Sequence, residues 1–111
     1  MPSFGNNSNF RNITVAELQV MLQQGGIFLL DVRTDAEVAR GKIPQGVSLP
    51  LHLLPLRLNE MDKNAATVFY CQMGGRSGQA AAFASANGFA KVYNLQGGIS
   101  AWTQAGLPID R

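Results

Sequence analysis

The sequence has only one cysteine, and this scarcity limits the kinds of protein that it can encode. A lone thiol cannot form an intramolecular disulfide, which argues against a disulfide-stabilised secreted domain. A chain of 111 residues buries enough surface to fold without such bonds. No stretch approaches the roughly 18 apolar residues of a membrane span, and the start MPSFGNNSNF lacks the apolar run of a signal peptide. We therefore expect a cytoplasmic protein without membrane contacts.

The chain also has little excess charge of either sign. Nine basic residues stand against seven acidic ones, which gives a formal net charge of +2, and the basic residues are scattered along the chain. Proteins that bind nucleic acid usually carry a concentrated basic patch. We therefore expect no nucleic-acid partner, although a small anion remains compatible with this mild positive charge.

Local patterns predict a flexible N-terminal arm followed by one domain. Residues 1–9 are polar and show no apolar period, whereas residues 10–111 have regular patterns throughout. Thr14 with Glu17, and Thr34 with Glu37, form two capping-box patterns. These predict helices over 15–24 and 35–40. Further helices are predicted over 51–61, which Pro55 splits or starts afresh, over 77–87 before Gly88, and over 99–105 before Gly106.

Short apolar runs alternate with these helices. The runs predict strands over 27–32, 47–49, 67–70 and 91–95. Such alternation is typical of an α/β sandwich with a mostly parallel sheet, in which ligands bind beyond the carboxyl ends of strands. Asp31-Val32-Arg33 and Cys71 both fall at predicted strand ends.

The loop after the third of these strands has the composition of an anion cradle. Cys71 is followed by Gly74 and Gly75, whose freedom at positive φ lets successive N–H groups point inward, and a helix comes next. Charge-assisted hydrogen bonds contribute roughly 1.5–3 kcal/mol each, enough to hold a thiol of free pKa about 8.5 as a thiolate at pH 7. The alternative is a buried, inert cysteine, but packing alone does not call for Gly74-Gly75-Arg76. We therefore predict a nucleophile.

Four segments of the chain resemble those of single-domain rhodaneses, the thiosulfate sulfurtransferase-like proteins. They are the opening ITVAELQ, the segment LLDVRTDAEVARGKIPQGVSLPL, the loop FYCQMGGRSGQAA with its CxxGxRS pattern, and the closing KVYNLQGGISAWTQAGLPI. The resemblance covers nearly all of the chain from about residue 10 onward.

The resemblance implies a rhodanese-like three-layer sandwich, with a five-stranded parallel sheet and helices on both faces. It also implies that Cys71 takes a sulfane sulfur from thiosulfate or a similar donor as a persulfide and passes it to an acceptor such as cyanide, a small thiol or a sulfur-relay protein. No metal or organic cofactor is implied. The backbone expected to cradle the outer sulfur belongs to Gln72, Met73, Gly74, Gly75, Arg76 and Ser77.

Two alternatives stay open beside the sulfurtransferase. Related cysteine phosphatases and arsenate reductases place five residues between cysteine and arginine, whereas four separate Cys71 from Arg76 here. The shorter loop suits one sulfur atom better than a tetrahedral oxyanion. The other alternative is a non-catalytic binding, sulfur-carrier or regulatory module, which the retained cysteine and glycines disfavour.

Several other residues invite a functional reading. Gln72 and Met73 are neutral where thiosulfate-active loops often carry a cation, so Arg76 is the main candidate to hold departing sulfite and thiosulfate is expected to be a poor or surrogate donor. Met73 is expected at the pocket rim. We interpret the remaining candidates structurally: Asp31 with Arg33 as an ion pair, His52 as an ordinary helix residue, and Trp102 as a core residue whose indole N–H meets a carbonyl.

Overall fold

A parallel five-stranded sheet forms the middle layer of the protein. A computed structural model describes residues 10–111, so the arm predicted over residues 1–9 lies outside the described residues. The strand order is β1-β5-β4-β2-β3, and every pair is parallel. The strands are β1 (Phe10–Ile13), β2 (Ile27–Asp31), β3 (Val47–Ser48), β4 (Ala66–Tyr70) and β5 (Val92–Leu95).

Within residues 10–111, five α-helices cover the two faces of this sheet. They are α1 (Val15–Gln24), α2 (Asp35–Ala39), α3 (Leu54–Arg57), α4 (Gly75–Ala86) and α5 (Gly98–Gln104). Both predicted capping boxes are confirmed. The side chains of Thr14 and Thr34 each accept a hydrogen bond from the backbone N–H of the glutamate three residues on. The carboxylate of that glutamate accepts one in return from the backbone N–H of the threonine. No helix within residues 10–111 is long and apolar enough to cross a membrane.

Three details differ from the sequence predictions. The fifth strand, β1, is not apparent in the apolar pattern because its FRNI sequence lies at a sheet edge with two exposed positions. Helix α4 begins at Gly75, two residues before the predicted start. The helix predicted over 51–61 is a 3₁₀ turn, α3 and a second 3₁₀ turn, with Pro55 in the first turn of α3, where a missing N–H costs nothing.

Each face of the sheet has its own apolar core. Val68, Phe69 and Tyr70 of the central strand β4 are fully buried and alternate between the two cores. One core contains Ala80, Ala81 and Ala84 of α4 with Leu54 of α3, and the other contains Leu18 of α1 with Ile99 and Trp102 of α5. Because Asp31 pairs with Tyr70 in a parallel register, the ends of β2 and β4 meet at one edge, directly before the cysteine loop.

Candidate active site

A buried ion pair braces the floor of the site. The Asp31 carboxylate accepts from Nε and Nη2 of Arg33 at 2.9 and 2.7 Å, and Nη2 also donates to the Gly41 carbonyl at 2.7 Å. The guanidinium lies 5.7 Å from the centre of the Tyr70 ring. Burial lowers the pKa of Arg33, but the hydrogen bonds and charge of Asp31 raise it by more, so the cation is retained. The structural interpretation of this pair is confirmed.

Cys71 lies in a polar pocket formed by its own loop and the start of α4. The thiol is buried, and its Sγ lies 3.1 Å from the N–H nitrogen of Gly74 and 3.3 Å from the hydroxyl oxygen of Ser77. Gly74 has φ +109°, a value in the left-handed region that favours glycine. Two of the predicted cradle residues thus contact the sulfur directly.

The hydrogen bonds at Cys71 outweigh the cost of its burial. Burial raises the pKa of the Cys71 thiol, whereas the Ser77 hydroxyl and the N–H groups of Ser77, Gly74 and Met73 lower it. The net result is a pKa below that of an ordinary cysteine. The site therefore stabilises the thiolate, the reactive form of the side chain, more than an ordinary cysteine environment does.

Arg76 is held by a carboxylate from another part of the chain. Its Nη1 and Nη2 donate to the two Glu37 oxygens at 2.6 and 2.8 Å. These hydrogen bonds are the main reason that the pKa of Arg76 is raised, and the charge of Cys71 raises it further. Hydrogen bonds from Arg76 likewise lower the pKa of Glu37 to about 2, although burial opposes them. The guanidinium thus stays charged beside the cysteine loop.

The start of α5 packs tightly against the other side of the loop. The N–H of Ile99 donates to the Cys71 carbonyl at 2.9 Å, and the N–H of Ser100 donates to the Gln72 carbonyl at 3.1 Å. A side chain at Gly98 has no room, because its Cβ would lie 2.5 Å from the Gln72 carbonyl oxygen. The absence of a Cβ at this position is therefore what lets α5 and the loop approach each other.

The side chains of Gln72 and Met73 make no hydrogen bond to the sulfur. The Gln72 amide donates to the Ser100 hydroxyl at 2.9 Å, and Met73 is 69% exposed. The position of Met73 at the pocket rim stays a prediction, since Met73 lines none of the cavities described. Gly75 begins α4 and adds no side chain to the cup.

A cavity of about 380 Å³ adjoins the loop on the α5 side. Its lining includes Gln72 and Ile99 together with two arginines, Arg33 and Arg40. Arg33 is committed to Asp31, but Arg40 is exposed and forms no ion pair within residues 10–111. A larger cavity of about 490 Å³ near α1 has no residue of the cysteine loop in its lining. The smaller cavity therefore reaches the cysteine loop at Gln72 and has two arginines in its lining.

Two further predictions can be checked directly. His52 was interpreted as an ordinary helix residue, and it lies exposed in the 3₁₀ turn before α3. Trp102 is buried in the core, and its indole N–H donates to the Pro108 carbonyl at 2.7 Å. Both structural interpretations are confirmed.

Three residues of the site were not predicted as part of it. Glu37 was interpreted only as a helix cap, and Gly98 only as part of a closing segment. Asn94, whose side chain lies 2.5 Å from the Ser77 hydroxyl, was not singled out at all. The available signal was a single amide within the short apolar strand KVYNL. An amide among buried apolar residues needs partners and therefore points to a polar network.

Comparisons with known proteins identify a family model and named relatives. A family model described as Rhodanese-like domain matches residues 14–105. A protein of Allochromatium vinosum named "Sulfurtransferase" is 48% identical over 83 residues, which are 75% of this chain and 78% of that protein. A "Thiosulfate sulfurtransferase" of Pseudomonas syringae is 32% identical, over 86% of this chain and 89% of its own. The structure of a human single-domain sulfurtransferase superposes with a TM-score of 0.80 at 28% identity, over 84% of this chain and 95% of that one.

Proposed function

The chain belongs to the rhodanese-like domain family, and we propose that it is a sulfurtransferase that carries a sulfane sulfur as a persulfide on Cys71. The observation that carries the proposal is the environment of Sγ, which is buried yet lies within hydrogen-bond distance of the Gly74 N–H and the Ser77 hydroxyl. Such donors stabilise a thiolate, and sulfur transfer begins from a thiolate. The names of the relatives support the same type of reaction.

In the first step the Cys71 thiolate attacks the outer sulfur of an anion such as thiosulfate. A new S–S bond forms, the bond between the two donor sulfurs breaks, and its electron pair leaves with sulfite. The negative charge then lies on the outer sulfur of the persulfide, where the N–H groups of residues 72–77 are proposed to hold it. In the second step an acceptor attacks that outer sulfur, and Cys71 leaves as a thiolate. No proton has to move in either step, so no general base is required.

The charges around the loop favour a small anionic donor. Arg40 lines the cavity beside the loop and has no ion-pair partner within the described part of the chain. Arg76 is already paired with Glu37, which leaves its guanidinium only partly available to a departing sulfite. We therefore propose thiosulfate or a similar anion as donor, and cyanide, a small thiol or a sulfur-relay protein as acceptor.

Intact-protein mass spectrometry tests the proposal. After brief incubation with thiosulfate, the reduced protein is expected to gain one sulfur atom, and cyanide should remove it. Cys71→Ser should gain none, and because Cys71 is the only cysteine, any adduct on the wild type is assigned to it. The proposal is refuted if thiosulfate, mercaptopyruvate and polysulfide all leave the folded protein unmodified. Hydrolysis of an aryl phosphate by the same preparation would instead favour the phosphatase alternative.

A further inference from the structure

The side chain of Asn94 contacts both residues that bond to the cysteine sulfur. Its Oδ1 lies 2.5 Å from the Ser77 hydroxyl oxygen, and its Nδ2 lies 3.3 Å from the Gly74 carbonyl oxygen. The same Nδ2 donates to Oδ1 of Asn12 on the edge strand at 2.9 Å. Asn94 is only 6% exposed, and its contact with Ser77 is buried. One buried amide therefore supports the polar side of the Cys71 pocket.

The orientation of this amide follows from its partners. The Gly74 carbonyl can only accept a hydrogen bond, so the NH₂ group of Asn94 must face it. The amide oxygen of Asn94 then faces Ser77 and acts as an acceptor. Turning the amide over would place two acceptors against each other at Gly74.

Ser77 has one hydroxyl proton and two neighbouring acceptors. Its oxygen lies 2.5 Å from Oδ1 of Asn94 and 3.3 Å from Sγ of Cys71. A single O–H group can donate strongly to only one of them. The shorter contact favours Asn94 when the sulfur is uncharged, whereas a thiolate is the stronger acceptor when it forms.

We propose that Asn94 is a positioning residue that competes with Cys71 for the hydroxyl proton of Ser77. In the thiol and in the persulfide, where Sγ is uncharged, the hydroxyl donates to Asn94. In the thiolate it turns to the sulfur, and Asn94 loses this bond. Asn94 thereby weakens the stabilisation of the thiolate and keeps Cys71 a stronger nucleophile for the donor sulfur, because nucleophilicity falls as thiol pKa falls. This inference deepens the proposed sulfur transfer and rests on it.

The test measures how Cys71 alkylation depends on pH. Iodoacetamide reacts with the thiolate, and the single cysteine makes the rate specific to this site. Asn94→Leu removes the competing acceptor at similar volume, so the midpoint of the alkylation profile should fall by up to about one pH unit, the scale of the neutral Ser77–Asn94 hydrogen bond that the thiolate no longer has to break. Ser77→Ala should raise the midpoint by a similar amount. In the Ser77→Ala background, Asn94→Leu should have no effect.

Control variants separate this role from simple bracing of the loop. Asn12→Ala removes the outer contact of the same amide but leaves its oxygen facing Ser77, so the midpoint should stay unchanged. If Asn94 only braced the loop, Asn12→Ala and Asn94→Leu would shift the midpoint in the same direction. Asn94→Ala serves as a second variant, since its short side chain cannot reach Ser77 and should also lower the midpoint. Circular dichroism confirms that each variant is folded.

The outcomes distinguish this inference from the proposed function. A higher midpoint in both Asn94 variants, or an equal shift with and without the Ser77 hydroxyl, would overturn the competition for the proton. Alkylation needs no sulfur donor, so the profile is obtained even if no persulfide forms. If mass spectrometry detects no persulfide but the alkylation profiles are as expected, sulfur transfer is rejected and the competition for the Ser77 proton is retained.

Discussion

Replacement of Glu37 by glutamine isolates one ion pair at the site. Glutamine at this position still satisfies the capping box with Thr34, so helix α2 should keep its N-terminal cap. What disappears is the charge that holds Arg76, which bonds to Glu37 through both terminal nitrogens. The substitution therefore tests the link between α2 and α4 with little change in local helix stability.

The size of the effect follows from the pKa of Glu37. Its pKa is lowered from the usual 4.5 to about 2, chiefly by the Arg76 hydrogen bonds. Each pKa unit corresponds to about 1.4 kcal/mol, so the upper limit is about 3 kcal/mol of folding free energy. The Arg76 side chain is 38% exposed, and solvent screening reduces the expected loss to about 1–2 kcal/mol at pH 7.

The loss should depend on pH in a defined direction. A carboxylate whose pKa is lowered by folding stabilises the folded protein above its unfolded pKa, near 4.5, and this contribution fades as pH falls towards the folded value of about 2. Urea unfolding at pH 7 should therefore show Glu37→Gln less stable than wild type. More than half of this difference should disappear by pH 3.

Glu17→Gln is the matched control for this experiment. Glu17 caps α1 through the same box with Thr14, but it is exposed and forms no ion pair within the described residues. The control should be nearly as stable as wild type at pH 7. Equal unfolding free energies for the two variants, or a Glu37→Gln loss that stays constant between pH 7 and pH 3, would refute the assigned strength of the ion pair.

Three further outcomes are expected. Gly98→Ala should cost more than about 2 kcal/mol of unfolding free energy in urea and should slow cysteine alkylation, because its Cβ would press on the loop carbonyls. The control Gly106→Ala, at φ +79° in open space, should cost only about 1–2 kcal/mol of backbone strain. Equal costs for the two variants would contradict the close approach of α5 and the loop. Trp102→Phe should lose about 1 kcal/mol with its hydrogen bond to a carbonyl, and unchanged stability would show that this bond contributes nothing. Arg40→Gln should raise the KM for thiosulfate up to about fivefold. Arg57→Gln, which changes an arginine that lines a different cavity, should leave the KM unchanged. Equal KM values for the two variants would show that Arg40 does not bind the donor.

The helices and the reactive loop were predictable because their signals are local. The capping boxes at Thr14 and Thr34 lie within four residues, and the boundaries of α1 agree with the prediction at both ends. The cysteine loop is likewise contiguous, so its glycines and its position after a strand are visible in the chain itself. A strand such as β1 is harder to predict, because its partner β5 lies some eighty residues away and its exposed positions blur the apolar pattern.

The sequence by itself determined the fold class, the alternation of strands and helices from α1 onward, and Cys71 as the candidate nucleophile. Only the tertiary structure decided what surrounds that cysteine. Glu37 reaches Arg76 across 39 positions, and Asn94 reaches Ser77 across 17. These contacts form because parallel strands bring their carboxyl ends to one edge, where side chains distant in sequence meet. Helix caps and glycine loops depend on neighbours along the chain, whereas hydrogen-bond partners in a buried site depend on how the layers pack.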